Sequence, residues 1–209
     1  MSRAARHRLD LVEPLAAFSL IMAYIWQLRY SHHNLWLLIL AGIVASHVLR
    51  HESTQVLGFQ RRNLRQCVDE FGPALLFLAL AAIGTGILLH TTRPISFGAA
   101  FLAWFAYLPW GTFQQYLLNG YFLNRFATAL PAKSAALASA ALFSGAHLPN
   151  WFLMIVTLVT GYVCARIYIR HKNLWFLGVA HATVGFLLFL VVPDSVTHHL
   201  IVGPGWFHH

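Results

Sequence analysis

Long apolar runs alternate with short polar breaks along this chain, and the runs have membrane-crossing length. Spanning the hydrocarbon core takes about 20 helical residues. On that scale seven helical stretches are predicted, roughly 12–29, 34–50, 73–91, 96–124, 135–149, 151–169 and 173–193, the fifth being the shortest. Between the second and third lies the one sizeable polar segment, His51 to Gly72, with Arg61, Arg62, Arg65, Asp69 and Glu70; it is predicted as an interfacial, partly helical connector. Asn34-Leu35-Trp36 and Asn173-Leu174-Trp175 open two stretches alike, as helix starts with an interfacial Trp, and no longer internal repeat accompanies them. The predicted class is all-α, a polytopic membrane helix bundle. Its parts are N-terminal helices with a basic connector (1–95), a four-helix core (96–193) and a tail (194–209).

Composition agrees with that pattern. Of 209 residues 58% are hydrophobic and 10% charged, which excludes an ordinary soluble domain. The net charge of +8 is dispersed in short clusters between apolar runs, so a bilayer and not a nucleic acid is the expected partner. With the N-terminus inside, twelve cations face inward (Arg3, Arg6, Arg8, Arg50, Arg61, Arg62, Arg65, Arg125, Lys133, Arg166, Arg170, Lys172) and only Arg29 and Arg93 face outward. The tail from Asp194 onward, without Lys or Arg, is then external. The basic N-terminus ahead of an apolar run has the outline of a signal peptide but lacks a small-residue cleavage site, so the first run is taken as a membrane helix. Cys67 and Cys164 form no disulfide framework and no metal signature.

Polar side chains at membrane depth carry the candidate chemistry. The fourth stretch contains Gln114, Gln115 and Asn119, with Gln115 and Asn119 on one face; His147 and His181 lie in later stretches. At about 1.5 Å per residue, Gln114, His147 and His181 all fall some 12–18 Å below the inner interface. A lone Gln, Asn or His inside a span ordinarily joins helices by hydrogen bonds. Four such groups on three helices at one depth favour a shared site. Gly178 and Gly185 flank His181 and leave room for a close helix or ligand. The aromatic set Trp104, Trp110, Phe113, Tyr116, Tyr121 and Phe122 offers either an apolar pocket for an isoprenoid or acyl chain, or lipid-facing packing. The pairs His32-His33, His198-His199 and His208-His209 read as solvated residues before they read as metal ligands.

Phe143-Ser144-Gly145-Ala146-His147 resembles the FxxxH motif of the CPBP intramembrane proteases, the family of Rce1-type CAAX prenyl proteases and bacterial Abi proteins. Gln114-Gln115-Tyr116-Leu117-Leu118-Asn119 falls where that family has EExxxR, and His181 to Gly185 where it has its last motif, a His followed four residues later by Asn or another small residue. The resemblance covers roughly 96–193. It implies a multi-pass protein of a bacterial inner membrane and endopeptidase cleavage of a membrane-associated, prenylated substrate, with Gln114, Gln115, Asn119, His147, His181 and Gly185 at the catalytic positions. Phe143, Asn150, Trp110 and Tyr116 are the candidate substrate contacts.

In the family the first Glu activates water, the histidines assist and the Asn holds the oxyanion. Here both glutamates are glutamines, the Arg is Asn119 and the Asn is Gly185. An amide orients water but does not take its proton. No Asp or Glu lies between Glu70 and Asp194, so a base must come from His147, His181 or an approaching Glu70. No cofactor is implied: a hydrolytic zinc usually has three protein ligands, and Cys164, counted near the inner end of its span, falls at another depth from the two histidines. Two further functions compete with peptidase action, a non-catalytic binding or immunity-type membrane protein and an enzyme acting on an isoprenoid lipid.

Overall fold

In a computed structural model, which describes residues 3–208 with side chains from Arg8, each predicted stretch holds a helix and no strand occurs among the described residues. The side chains of Arg3 and Arg6, and His209 of the tail, lie outside the described part. Helix α1, Arg3–Ala23, runs on through a π-helical turn, Tyr24–Leu28, to Ser31. There follow α2, Leu35–Leu49; α3, Leu64–Leu88; and α4, Phe97–Gln115, which continues through a π-helical segment, Tyr116–Leu123, and a closing α-helical piece, Asn124–Ala129. Next come α5, Ala132–Gly145; α6, Trp151–His171; α7, Leu174–Val191; and the short α8, Asp194–Thr197, with 3₁₀ turns to the end.

Among the described residues four helices are long and apolar enough to cross a membrane: Arg8–Ser31, α3, α6 and α7; α2 is apolar but shorter. Their outer faces carry side chains that water would not tolerate in such number, for instance Phe77 and Leu88 on α3, 74% and 80% exposed. Two boundaries differ from the sequence reading for physical reasons. Helix α3 begins at Leu64, because the charged stretch to Gly72 continues the helix as a polar first part. Helix α5 ends at Gly145, so His147 sits on the turn into α6 and not within a helix; Pro149 cannot continue a helix, and Asn150 caps the next one by accepting from Leu153 N–H at 3.1 Å.

Glycines let α4 and α7 approach closely. A Cβ at Gly111 would lie 3.2 Å from Ala182 N, and one at Gly178 would collide with Thr112. This contact is the most extensive in the bundle, with α5 against α6 close behind.

The connector end is closed by a buried ionic cluster. Arg125, 1% exposed, donates from Nη1 to Glu52 Oε1 at 2.7 Å, from Nη2 to Glu52 Oε2 at 3.0 Å and from Nε to Glu13 Oε1 at 3.1 Å. Arg50 bridges Asp10 and Glu13 at 2.5 Å each, Ser46 donates to Glu13, Thr128 to Asp10, and His47 Nδ1 lies 2.5 Å from Glu52. Thus α1, α2, the connector and the end of α4 meet on one guanidinium. Glu52 lies outside the spanning helices. Burial disfavours its charge, but the hydrogen bonds from Arg125 and His47 outweigh burial and hold its carboxyl below the usual range.

Removing one partner of such a cluster strands the others in a dry site, so Arg125→Met is expected to destabilise by about 3–5 kcal/mol. Because the Glu52 pKa is lowered on folding, its contribution is complete above the ordinary value of 4.5 and declines as pH falls below it. Thermal unfolding in detergent across that range checks this: Tm should drop toward acid in the native protein, and more shallowly in Glu52→Gln.

Candidate functional site

A cavity of about 540 Å³ lies between α4, α6 and α7. One face of α4 supplies Ala103, Tyr107, Trp110 and Gln114, spaced three or four apart, and Gln115 adds a second polar group. Helix α6 supplies Leu153, Thr157, Thr160 and Cys164 at the same spacing. His181 and Gly185 come from α7, His147 from the α5–α6 turn, and Leu200 and Val202 from the tail. The lining is mostly apolar, and its polar groups are both glutamines, both histidines, Tyr107, Thr157 and Thr160.

Gln115 and His181 are joined in a short hydrogen-bonded chain. Asn119 Nδ2 donates to Gln115 Oε1 at 2.7 Å, and Gln115 Nε2 lies 3.1 Å from His181 Nδ1. Gln115 and Asn119 are 1% and 0% exposed. The π-helical backbone starts directly after Gln115, and its wider turn brings residues four apart nearly into line. The chain has a preferred direction. As written it leaves Asn119 Oδ1 as a buried acceptor without a partner; reversed, it would orphan the amide hydrogens instead, the rarer defect. Gln115 therefore donates to Nδ1 of His181, and the proton of that ring sits on Nε2.

His147 has the opposite arrangement. Its Nδ1 lies 2.7 Å from the Phe143 carbonyl oxygen, which can only accept, so the proton is on Nδ1 and Nε2 carries the lone pair. Phe143 packs edge-on against both rings, with centroids 5.0 Å from His147 and 5.9 Å from His181, and Tyr107 flanks His181 at 6.2 Å. Neither Nε2 atom is hydrogen-bonded to a described residue, and the same holds for the Gln114 amide. The site thus presents one lone pair, one N–H donor and one free amide to a single apolar space.

The remaining sequence-derived residues have other places. Asn119 and Phe143 stand behind the wall. Tyr116 packs toward the connector, on His47 and Phe59. Asn150 is fully buried, and its Nδ2 donates to Thr197 O and Ile201 O, tying down the tail. Of the aromatic set only Trp110 lines the cavity; Trp104 donates to Thr183 instead, at 3.2 Å. Gly185 is in the wall, where a Cβ would crowd the Tyr107 ring.

Two expectations are corrected. Cys164 shares the cavity with Gln115 and both histidines, because residue counting gives depth only for upright helices and α6 reaches further, to His171. Glu70 is remote from the site: it pairs with Arg170 at 2.5 Å and His171 at 3.0 Å, so it cannot serve there as a base. Among the described residues no three His, Cys, Asp or Glu side chains converge as a metal would require. The sequence reading missed Tyr107, which the spacing along α4 could have revealed, and the tail residues, which no local pattern announces.

Residues 94–187 match the family model described as type II CAAX prenyl endopeptidase Rce1-like. This segment, a little under half of the chain, is similar to that CAAX protease-like family, and the apolar helices around it are those of an integral membrane protein. No curated protein and no solved structure matches it.

Replacing Gln115 by Leu strands His181 Nδ1 and the Asn119 amide together. Each abandoned buried group costs about 1–3 kcal/mol. Gln115→Leu is therefore expected to lower Tm markedly, whereas Gln114→Leu, which breaks no internal bond, leaves it near the native value; differential scanning fluorimetry in detergent compares the two.

Proposed function

We propose that this protein is a CAAX protease-like intramembrane peptidase in which two imidazoles take over the proton work of the family's glutamates. The observation that carries the reading is the opposite hydrogen bonding of His147 and His181 around one cavity. A lone pair and an N–H facing the same space are the base and the donor that amide hydrolysis needs. His147 Nε2 takes a proton from a water as its oxygen attacks the peptide carbonyl carbon. His181 Nε2–H, with the Gln114 amide, donates to the oxygen as it gains charge. The proton held by His147 then passes to the departing nitrogen as the C–N bond breaks. Gln115 and Asn119 fix the His181 tautomer, and Gly185 leaves space beside it.

The walls support the substrate class proposed. Val156, Leu188, Phe189 and Leu200 suit an apolar or lipid-modified stretch of a membrane-associated protein. In the same reading all seven long helices lie in the bilayer with the N-terminus inside, supported by the basic connector and by Arg166, Arg170 and Lys172 at one end of the bundle.

A second reading, a binding protein without turnover, is favoured by one observation: the walls carry amides where the family has carboxylates, and the Gln115 amide is fully committed. Purified protein in detergent, given prenylated and unprenylated peptides, separates the two. Turnover by the native chain is expected, with kcat/KM reduced about 10²-fold or more in His147→Ala, the usual worth of a general base. His181→Ala should also be impaired. Binding without cleavage by the native chain, with cleavage acquired only in Gln114→Glu, would refute the imidazole mechanism in favour of a binding role.

A further inference from the structure

A second concavity, of about 280 Å³, lies in the connector and is lined by Thr54, Gln55, Phe59, Gln60, Arg61 and Arg62. We propose that it binds the phosphate of an anionic phospholipid headgroup. The chain has six carboxylates, and all six are engaged elsewhere. Asp10 and Glu13 hold Arg50, Glu13 and Glu52 hold Arg125, Asp69 faces Arg65, Glu70 holds Arg170, and Asp194 holds Arg93. Arg61 and Arg62 form no ion pair or hydrogen bond with any described residue, yet both line one pocket. Both are exposed, so an anion from outside the chain can reach the two guanidiniums together.

The other groups fit a phosphate. The Thr54 hydroxyl and Gln55 amide are uncommitted donors beside the two guanidiniums. Asn63, next to the start of α3, gives its amide to His171 O and accepts from Asn173, so α3 begins without a side-chain cap and its positive end stays open on this side.

Position selects a lipid over a free anion. The pocket adjoins the start of α3, a helix apolar enough to cross a membrane, and Gln60 binds His171 O and Lys172 O where α6 ends and α7 begins. Three membrane-length helices therefore have their ends at this level, which is where headgroups lie. Phe59 contacts Trp175 at 5.5 Å, and Trp175 is 41% exposed, an aromatic pair suited to the region just beneath the phosphate. A phosphate here would staple the connector that carries Glu52 to Arg125.

The test is native mass spectrometry of the full-length protein in detergent, titrated with short-chain phosphatidylglycerol, with inorganic phosphate in a parallel arm. Saturable phosphatidylglycerol binding is expected. It should weaken at least tenfold in Arg61→Gln/Arg62→Gln and stay unchanged in Lys133→Gln/Arg166→Gln, which removes the same charge outside the pocket. Equal weakening in both double variants would reduce the effect to overall charge and overturn the site, as would absence of binding. Phosphate binding as tight as the lipid would overturn the lipid assignment. The peptide cavity is untouched by these variants, so the result stands apart from the proposed peptidase activity.

Discussion

A guanidinium buried to 1% exposure has to be neutralised where water does not reach, and the burial of Arg125 sets the architecture of one end of this bundle. Its partners come from three separate parts of the chain: Glu13 from α1, Ser46 and His47 from α2, and Glu52 from the connector. Tyr121 adds a ring 5.3 Å from the guanidinium carbon and donates its hydroxyl to Glu13 at 3.1 Å. None of these groups could be stable at that depth alone. Together they fix how the first two helices and the connector sit on the end of α4.

With that end closed, the π-helical segment of α4 is held between the ionic cluster and the cavity. Gly120 lies against the Leu57 carbonyl, where a Cβ would come within 3.2 Å, so the connector rests directly on the segment. On the other side Asn119 reaches back to Gln115, and Gln115 reaches to His181. The cluster and the polar chain are thus two faces of one helix. The tail closes the opposite end through Asn150, the Gly203 N–H to Leu148 O bond at 2.7 Å, and the Arg93–Asp194 pair.

Much of this was legible in the residues. Period and length placed a helix in each of seven stretches, four of them long and apolar enough to cross a membrane, and polar groups at one depth pointed to Gln114, Gln115, His147 and His181 as neighbours, since a polar side chain in an apolar run needs a partner. What stayed hidden were long-range pairings. In the sequence Arg125 reads as a surface charge that reports topology, because a lone Arg at the end of a run looks the same whether it meets water or carboxylates from two distant segments. Cys164 was misplaced by assuming upright helices. Asn150, seen as a motif residue that touches substrate, spends its amide on the α6 cap and the tail, and only the fold shows a tail there to hold. The assignment of proton positions also required coordinates: it depends on the Phe143 carbonyl standing 2.7 Å from His147 and on the direction of the Asn119–Gln115 bond.

The central claim is that the two imidazoles present opposite faces to one cavity, His147 a lone pair and His181 an N–H. Nitrogen-15 NMR of histidine-labelled protein, assigned with His147→Gln and His181→Gln, reads this directly from the ring nitrogen shifts. A proton is expected on Nδ1 of His147 and on Nε2 of His181 in the resting protein. The same tautomer on both rings, or the reverse pairing, would contradict it.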